Sequence, residues 1–132
     1  MPGPILILHA VDTFEQASQL QNMLLDEDLF SQTYAEAVLS GPFGIVELVA
    51  FSSAVVIILS PHLFEDMAGT VTAQHAINSH KGVCIQFEAI DKPEWAVGAF
   101  NLEQGDLLRV NWELLLTRLR SQINFAGLGE EF

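Results

Sequence analysis

The run Ala54-Val55-Val56-Ile57-Ile58-Leu59 is uncharged, dominated by β-branched residues, and only six residues long. It lacks the polar–apolar alternation of a strand that faces water on one side. Such a run suits a strand covered on both faces, at the centre of a parallel sheet. Pro4-Ile5-Leu6-Ile7-Leu8-His9-Ala10 has the same character, and Val83-Cys84-Ile85-Gln86-Phe87, introduced by Lys81-Gly82, repeats it. Two weaker strands are expected, one within Phe30 to Ala37 around Tyr34-Ala35, the other around Val97 to Phe100.

Helical patterns separate these runs. Phe14, Ala17, Leu20 and Leu24 recur at helical spacing, Thr13 and Gln16 have the spacing of a capping box, and Asp26-Glu27-Asp28 marks the exit. Ile45 to Phe51 predicts a short helix with Ile45, Leu48 and Val49 on one side, broken at Ser52-Ser53. Glu65 to Ser79 predicts another after Ser60-Pro61, with Met67, Val71, Gln74 or His75, and Asn78 on related faces. Its residues 69–72, Gly-Thr-Val-Thr, are poor helix formers. From Asp106 to Ile123 a stripe of Leu108, Trp112, Leu115, Leu119 and Ile123 marks an amphipathic helix. Arg118 and Arg120 fall near its expected C-terminus, where they complement the helix dipole, and Gly127 and Gly129 end in a short flexible tail. Strand and helix alternate throughout, which predicts an α/β domain: an open, five-stranded, mostly parallel sheet with helices on both faces. One domain spans 1–132, with its core over about 4–123 and a tail at 124–132. Function in such a sheet gathers on the loops after the strands, here residues 10–13, 37–44, 60–65 and 88–94.

Five Lys+Arg against seventeen Asp+Glu give a net charge of −12. That field opposes nucleic acid and anionic membrane and favours a neutral or basic partner, or a small ligand. Half the residues are hydrophobic, enough to bury a core, so disorder is excluded. The apolar stretches are far shorter than the ~20 residues of a membrane span. Met1-Pro2-Gly3-Pro4 has no basic segment of a secretory signal, and the single cysteine, Cys84, cannot form an internal disulfide. A reducing, cytoplasmic setting is expected.

The side chains with chemical potential are few. No phosphate-binding glycine pattern follows any strand. In Gly41-Pro42-Phe43-Gly44 the proline removes an amide donor that a phosphate would use. His9, His62, His75 and His80 have no cysteine or carboxylate at metal spacing, so no metal site is expected. Cys84 reads as a small buried hydrophobe, and Asp26-Glu27-Asp28 as a solvated helix end. Glu36 is either a catalytic carboxylate or a residue of the rim.

In order and spacing, these segments resemble a TIR domain, the Toll/interleukin-1 receptor signalling module. Ile5-Leu6-Ile7-Leu8-His9-Ala10 followed by Asp12 is similar to the family's first box. The first strand resembles that of the Toll-receptor adaptors TRAM and TRIF, which also ends in Leu-His-Ala, and Leu20-Gln21-Asn22-Met23-Leu24 and Tyr34-Ala35-Glu36 are similar to TRAM at matching spacing. Ser53-Ala54 leading into Ile57-Ile58-Leu59-Ser60, then Leu63-Phe64, is similar to the third strand and its turn. Val110-Asn111-Trp112 stands where the third box has Phe-Trp, with Asn111 in place of the phenylalanine. The resemblance runs from Ile5 to Ile123 and implies a flavodoxin-like fold. His9, Ala10, Asp12 and Trp112 hold the matching box positions.

Two departures bear on function. The family's BB loop usually carries an Arg-Asp pair and Pro-Gly, whereas Val38, Leu39, Ser40, Gly41, Pro42, Phe43 and Gly44 carry no charge. Leu39, Pro42 and Phe43 either dock on a partner or fold back onto the domain. NAD-cleaving members use a glutamate four residues after a tryptophan on the helix after the third strand. Counting places Ala68 and Thr72 there, and threonine cannot stabilise an oxocarbenium-like centre as a carboxylate does. The resemblance thus implies a non-enzymatic adaptor domain of innate immune signalling, without cofactor, that binds other TIR domains and its own copies through the BB loop. The alternative is an NAD-cleaving domain with a non-standard carboxylate, Glu36 or, at the next helix, Glu65 or Asp66. A receiver-type phosphoacceptor is discounted, because Ser60 stands where an aspartate is required.

Overall fold

In the computed structural model, residues 4–34, 45–87, 91, 93–96, 100–102 and 106–130 are described. Five strands, β1 (Ile5–Leu8), β2 (Ser31–Thr33), β3 (Ala54–Ile58), β4 (Gly82–Gln86) and β5 (Phe100–Asn101), form one sheet in the order β2-β1-β3-β4-β5. All neighbours are parallel, with Ile5 opposite Ala54 and Ser31, Ile58 opposite Ile85, and Ile85 opposite Phe100. This is a doubly wound, flavodoxin-like order, the fold that the family resemblance implies. Every residue of β1 and β3 is buried, as their unbroken apolar runs demand.

Successive residues of a strand point to opposite faces, and each face has its own core. On one, Ile5, Ile7, Val56, Ile58 and Ile85 meet Ala17, Leu20 and Leu24 of α1 (Phe14–Asp26) and Leu115, Leu116 and Leu119 of the last helix. On the other, Leu6, Leu8, Val55, Ile57 and Cys84 meet the helices α2 (Ile45–Phe51), α3 (Pro61–Glu65) and α4 (Met67–Asn78) through Val49, Leu63, Ala73 and Ala76. The last helix, α5, spans Asp106–Glu130. Cys84, the single cysteine, is buried. Asp28 ends the α1 turn in the left-handed region at φ 60°, which its short polar side chain tolerates.

Several local expectations are corrected. The second strand is Ser31–Thr33 and stops before Tyr34, and Ala35 lies outside the described residues; as an edge strand paired on one side only, it needs little apolar surface. Of the fifth strand expected around Val97 to Phe100, Phe100 does lie in a strand, Phe100–Asn101, and residues 97–99 lie outside the described ones. Thr13 does not cap α1 in a capping box. Its hydroxyl instead donates to the Ala10 carbonyl (3.2 Å), closing a 3-10 turn over Val11–Thr13.

The helix expected over Glu65 to Ser79 is α4, which starts at Met67, and a short helix that was not expected, α3, precedes it across an extended Asp66. The buried side of α4 is Gly69, Thr72, Ala73 and Ala76, while Met67 and Val71 face outward. Small side chains let the helix sit close to its neighbours. A Cβ on Gly69 would lie 2.9 Å from Leu63 Cδ1. The helix α5 continues past Ile123 to Glu130, so Arg118 and Arg120 lie mid-helix rather than at its end. Arg120 instead pairs with Glu27 at the end of α1 (3.1 Å). Both side chains are substantially exposed, so the pair contributes little to stability.

Candidate functional site

The chain leaves β1 into α1 on one face of the sheet and leaves β3 into α3 and α4 on the other. Between two strands whose connections diverge in this way a crevice opens at their carboxyl ends. Here it is a cavity of about 350 Å³ lined by His9, Ala10, Val11, Tyr34, His62 and Asp66. Its residues come from the exits of β1, β2 and β3.

The walls are tied together by a short relay. Asp12, in the 3-10 turn after β1, accepts a hydrogen bond from the Ser60 hydroxyl at 2.9 Å. Ser60 Oγ in turn accepts from the Leu63 amide at 3.2 Å, which makes Ser60 the N-cap of α3, with Pro61 in the first turn. One buried serine therefore starts the helix that carries His62 and fixes it to the loop that carries His9 and Val11. Ser60→Ala removes both bonds and is expected to destabilise the domain by about 1–2 kcal/mol. A double-mutant cycle with Asp12→Ala in urea unfolding should be non-additive. Additive losses would mean the two groups are not coupled.

His9 is held by a contact of Nδ1 with the Ala10 carbonyl (2.9 Å) and by Phe14, whose ring lies edge-on at 6.2 Å. A carbonyl only accepts, so Nδ1 is the donor in this contact, and in the neutral imidazole Nε2 is then the acceptor. Nε2 is buried and, among the described residues, has no protein partner. The cavity thus offers an imidazole acceptor, a second imidazole, a phenol and a carboxylate beside an apolar wall of Ala10 and Val11. That mixture suits a small polar ligand or a side chain of a partner. Around it lie exposed apolar groups. Val11 is 87% exposed, Met67, directly after Asp66, is 82% exposed, and Phe14 is also largely exposed. Among the described residues, no group of three or more His, Cys, Asp or Glu could hold a metal ion.

Of the box residues, His9 and Ala10 line the cavity, and Asp12 braces it from outside. Trp112 does not join them; it packs on the α1–α5 face of the sheet. Residues 38–44 and Glu36 lie outside the described ones. Thr72 is wholly buried on the sheet side of α4. Tyr34 and His62 were not expected together. The signal that could have joined His62 to the site was Ser60-Pro61, an N-cap followed by a first-turn proline.

No family model matches the chain, and no curated protein matches it either. Among solved structures, the TIR domain of the Toll-related receptor TRR-2 from Hydra magnipapillata matches with a TM-score of 0.75 over 88% of this chain and 97% of that one, at 20% identity. The chain has the fold of a TIR domain. The match covers nearly the whole TIR domain of the Hydra receptor, so the likeness extends over nearly the whole fold. It does not single out the adaptors TRAM and TRIF, whose wording the first strand resembles. Among the described residues, no helix of this TIR fold is long and apolar enough to cross a membrane.

Proposed function

We propose that the chain is a cytoplasmic TIR-type signalling domain that works by binding other TIR domains, its own copies included, as an adaptor in innate immune signalling. The observation that carries this reading is the fold, matched over 88% of the chain to a receptor TIR domain. The exposed Val11, Phe14 and Met67 around the cavity support a surface that meets another protein. The uncharged segment 38–44, with Leu39, Pro42 and Phe43, is the further contact in this reading; it precedes α2 directly in the chain. Head-to-tail contacts of that kind are heterologous and build open assemblies unless they close. The reading involves no cofactor, and a net charge of −12 argues against nucleic acid as a partner.

Self-association should be visible by light scattering and should strengthen with salt, because screening relieves repulsion between copies of like charge. Phe43→Ala or Pro42→His is expected to reduce the assembly while leaving the unfolding midpoint unchanged. A variant that loses its fold, or assembly that weakens with salt, would count against the proposal.

One observation favours a second reading. Asp66, not Glu65, places a carboxylate in the cavity, near the imidazoles of His9 and His62. Among the described residues, Asp66 is the carboxylate lining the cavity, and an NAD-cleaving reaction there would set it against a developing ribosyl cation. The purified chain incubated with NAD should release no nicotinamide. Release that disappears in Asp66→Asn would replace the binding reading with the enzymatic one.

A further inference from the structure

A second recess lies elsewhere on the fold and shares no residue with the cavity at the strand ends. It is an open groove of about 590 Å³ between the later turns of α4 and the segment after β4, lined by Gln74, Ile77, Asn78, Glu94 and Trp95. The segment's shape is set by a turn. The Ala96 amide donates to the Pro93 carbonyl (3.1 Å), so Glu94 and Trp95 are its two central residues. Ala96 is buried in the core and anchors the turn. Trp95 is locked against Phe64 of α3, ring centroids 5.8 Å apart at 83°. The groove therefore has a rigid aromatic wall, an exposed carboxylate beside it on the same turn, and two amide side chains on the opposite helix.

We propose that this groove binds an arginine side chain presented by an extended segment of a basic partner protein. A guanidinium is the side-chain group that uses all three features at once. It stacks on an aromatic ring, forks onto a carboxylate, and donates to amide oxygens. Gln74 and Asn78 also offer donors and acceptors to the backbone of an extended segment. Charge complementarity chooses the occupant. The chain carries seventeen acidic residues against five basic ones, and a second copy would bring the same excess of negative charge. The groove is thus a site for a partner unlike the chain itself. It stands or falls separately from the TIR–TIR reading, because it requires neither self-association nor residues 38–44.

The probe is a short capped peptide, acetyl-Gly-Ser-Arg-Ser-Gly-amide, titrated into the isotopically labelled chain and followed by NMR. A counterpart carries citrulline, which keeps the shape of arginine without its charge. The arginine peptide should give saturable shifts centred on the Trp95 indole N–H and on Glu94, Ala96 and Asn78. The citrulline peptide and the Glu94→Gln variant should each bind about tenfold more weakly, and added salt should weaken the arginine peptide only. Glu94 is exposed, so its substitution leaves the fold intact, and Asn78→Ala gives an independent second variant on the facing helix. Equal affinity for the two peptides, shifts spread over the acidic surface without a centre at Trp95, or no shift at all would each overturn the assignment.

Discussion

Thr72→Glu is expected to destabilise the domain severely rather than endow it with NAD-cleaving activity. The position is the one at which enzymatic TIR domains are expected to carry their glutamate, so the substitution is the natural attempt to restore chemistry. In this fold Thr72 is 0% exposed, on the side of α4 that also buries Ala73 and Ala76. A carboxylate placed there either loses its hydration or is driven into its protonated form, and it adds volume to a helix packed through small residues. Together these effects should cost about 3–5 kcal/mol, a large share of the roughly 5–15 kcal/mol available to a domain of this size. Urea unfolding of Thr72→Glu beside Thr72→Ser separates the charge and volume from loss of the side chain's own contacts. Thr72→Ser should remain folded. A Thr72→Glu protein as stable as the parent would mean that α4 is rotated from the register described, with position 72 turned toward the cavity.

That register is also where sequence reasoning went furthest astray. The sheet was legible because β1, β3 and β4 consist of apolar runs buried on both faces, and a run of that kind has few alternatives. The helices α1 and α5 were legible because Leu20, Leu24, Leu115 and Leu119 make stripes that only one helical face explains. In α4 the pattern misleads, since Met67 and Val71 are the large apolar residues and both point outward. Its buried face is built from glycine, threonine and alanine, whose burial reflects close approach to Leu63 and the sheet rather than hydrophobicity. The site was legible in part. His9 and Ala10 were placed by the end of β1, but Tyr34, His62 and Asp66 converge on them only through the sheet order, which sets the exits of β1, β2 and β3 side by side. No local spacing encodes that convergence.

Lys81→Met is expected to destabilise the domain by about 2 kcal/mol and to loosen α2 before anything else. The Lys81 ammonium donates to three carbonyls at the end of α2, those of Val49 (3.1 Å), Ala50 (3.0 Å) and Ser52 (2.8 Å). These are groups that a helix C-terminus leaves without intrahelical partners, and a cation there also meets the negative end of the helix dipole. The Lys81 backbone is itself fixed, since its amide donates to the Ala76 carbonyl (3.0 Å) and its carbonyl accepts from the Val55 amide (2.9 Å). The side chain therefore ties a seven-residue helix, too short to persist by itself, to the turn between α4 and β4. Methionine keeps much of the apolar stem and removes all three charged hydrogen bonds, each worth roughly 1.5–3 kcal/mol when fully shielded and less where water can replace it. Arg120→Ala removes the same unit of charge from an exposed pair and should cost no more than about 1 kcal/mol, so the comparison isolates the latch from net charge. Hydrogen exchange should then show amides of α2 opening faster in Lys81→Met while those of β3 remain protected. In the proposed self-association through segment 38–44, which α2 follows directly in the chain, Lys81→Met should also weaken assembly by more than the loss of global stability accounts for. Equal losses in Lys81→Met and Arg120→Ala, with α2 no more open than β3, would reduce Lys81 to one surface charge among others.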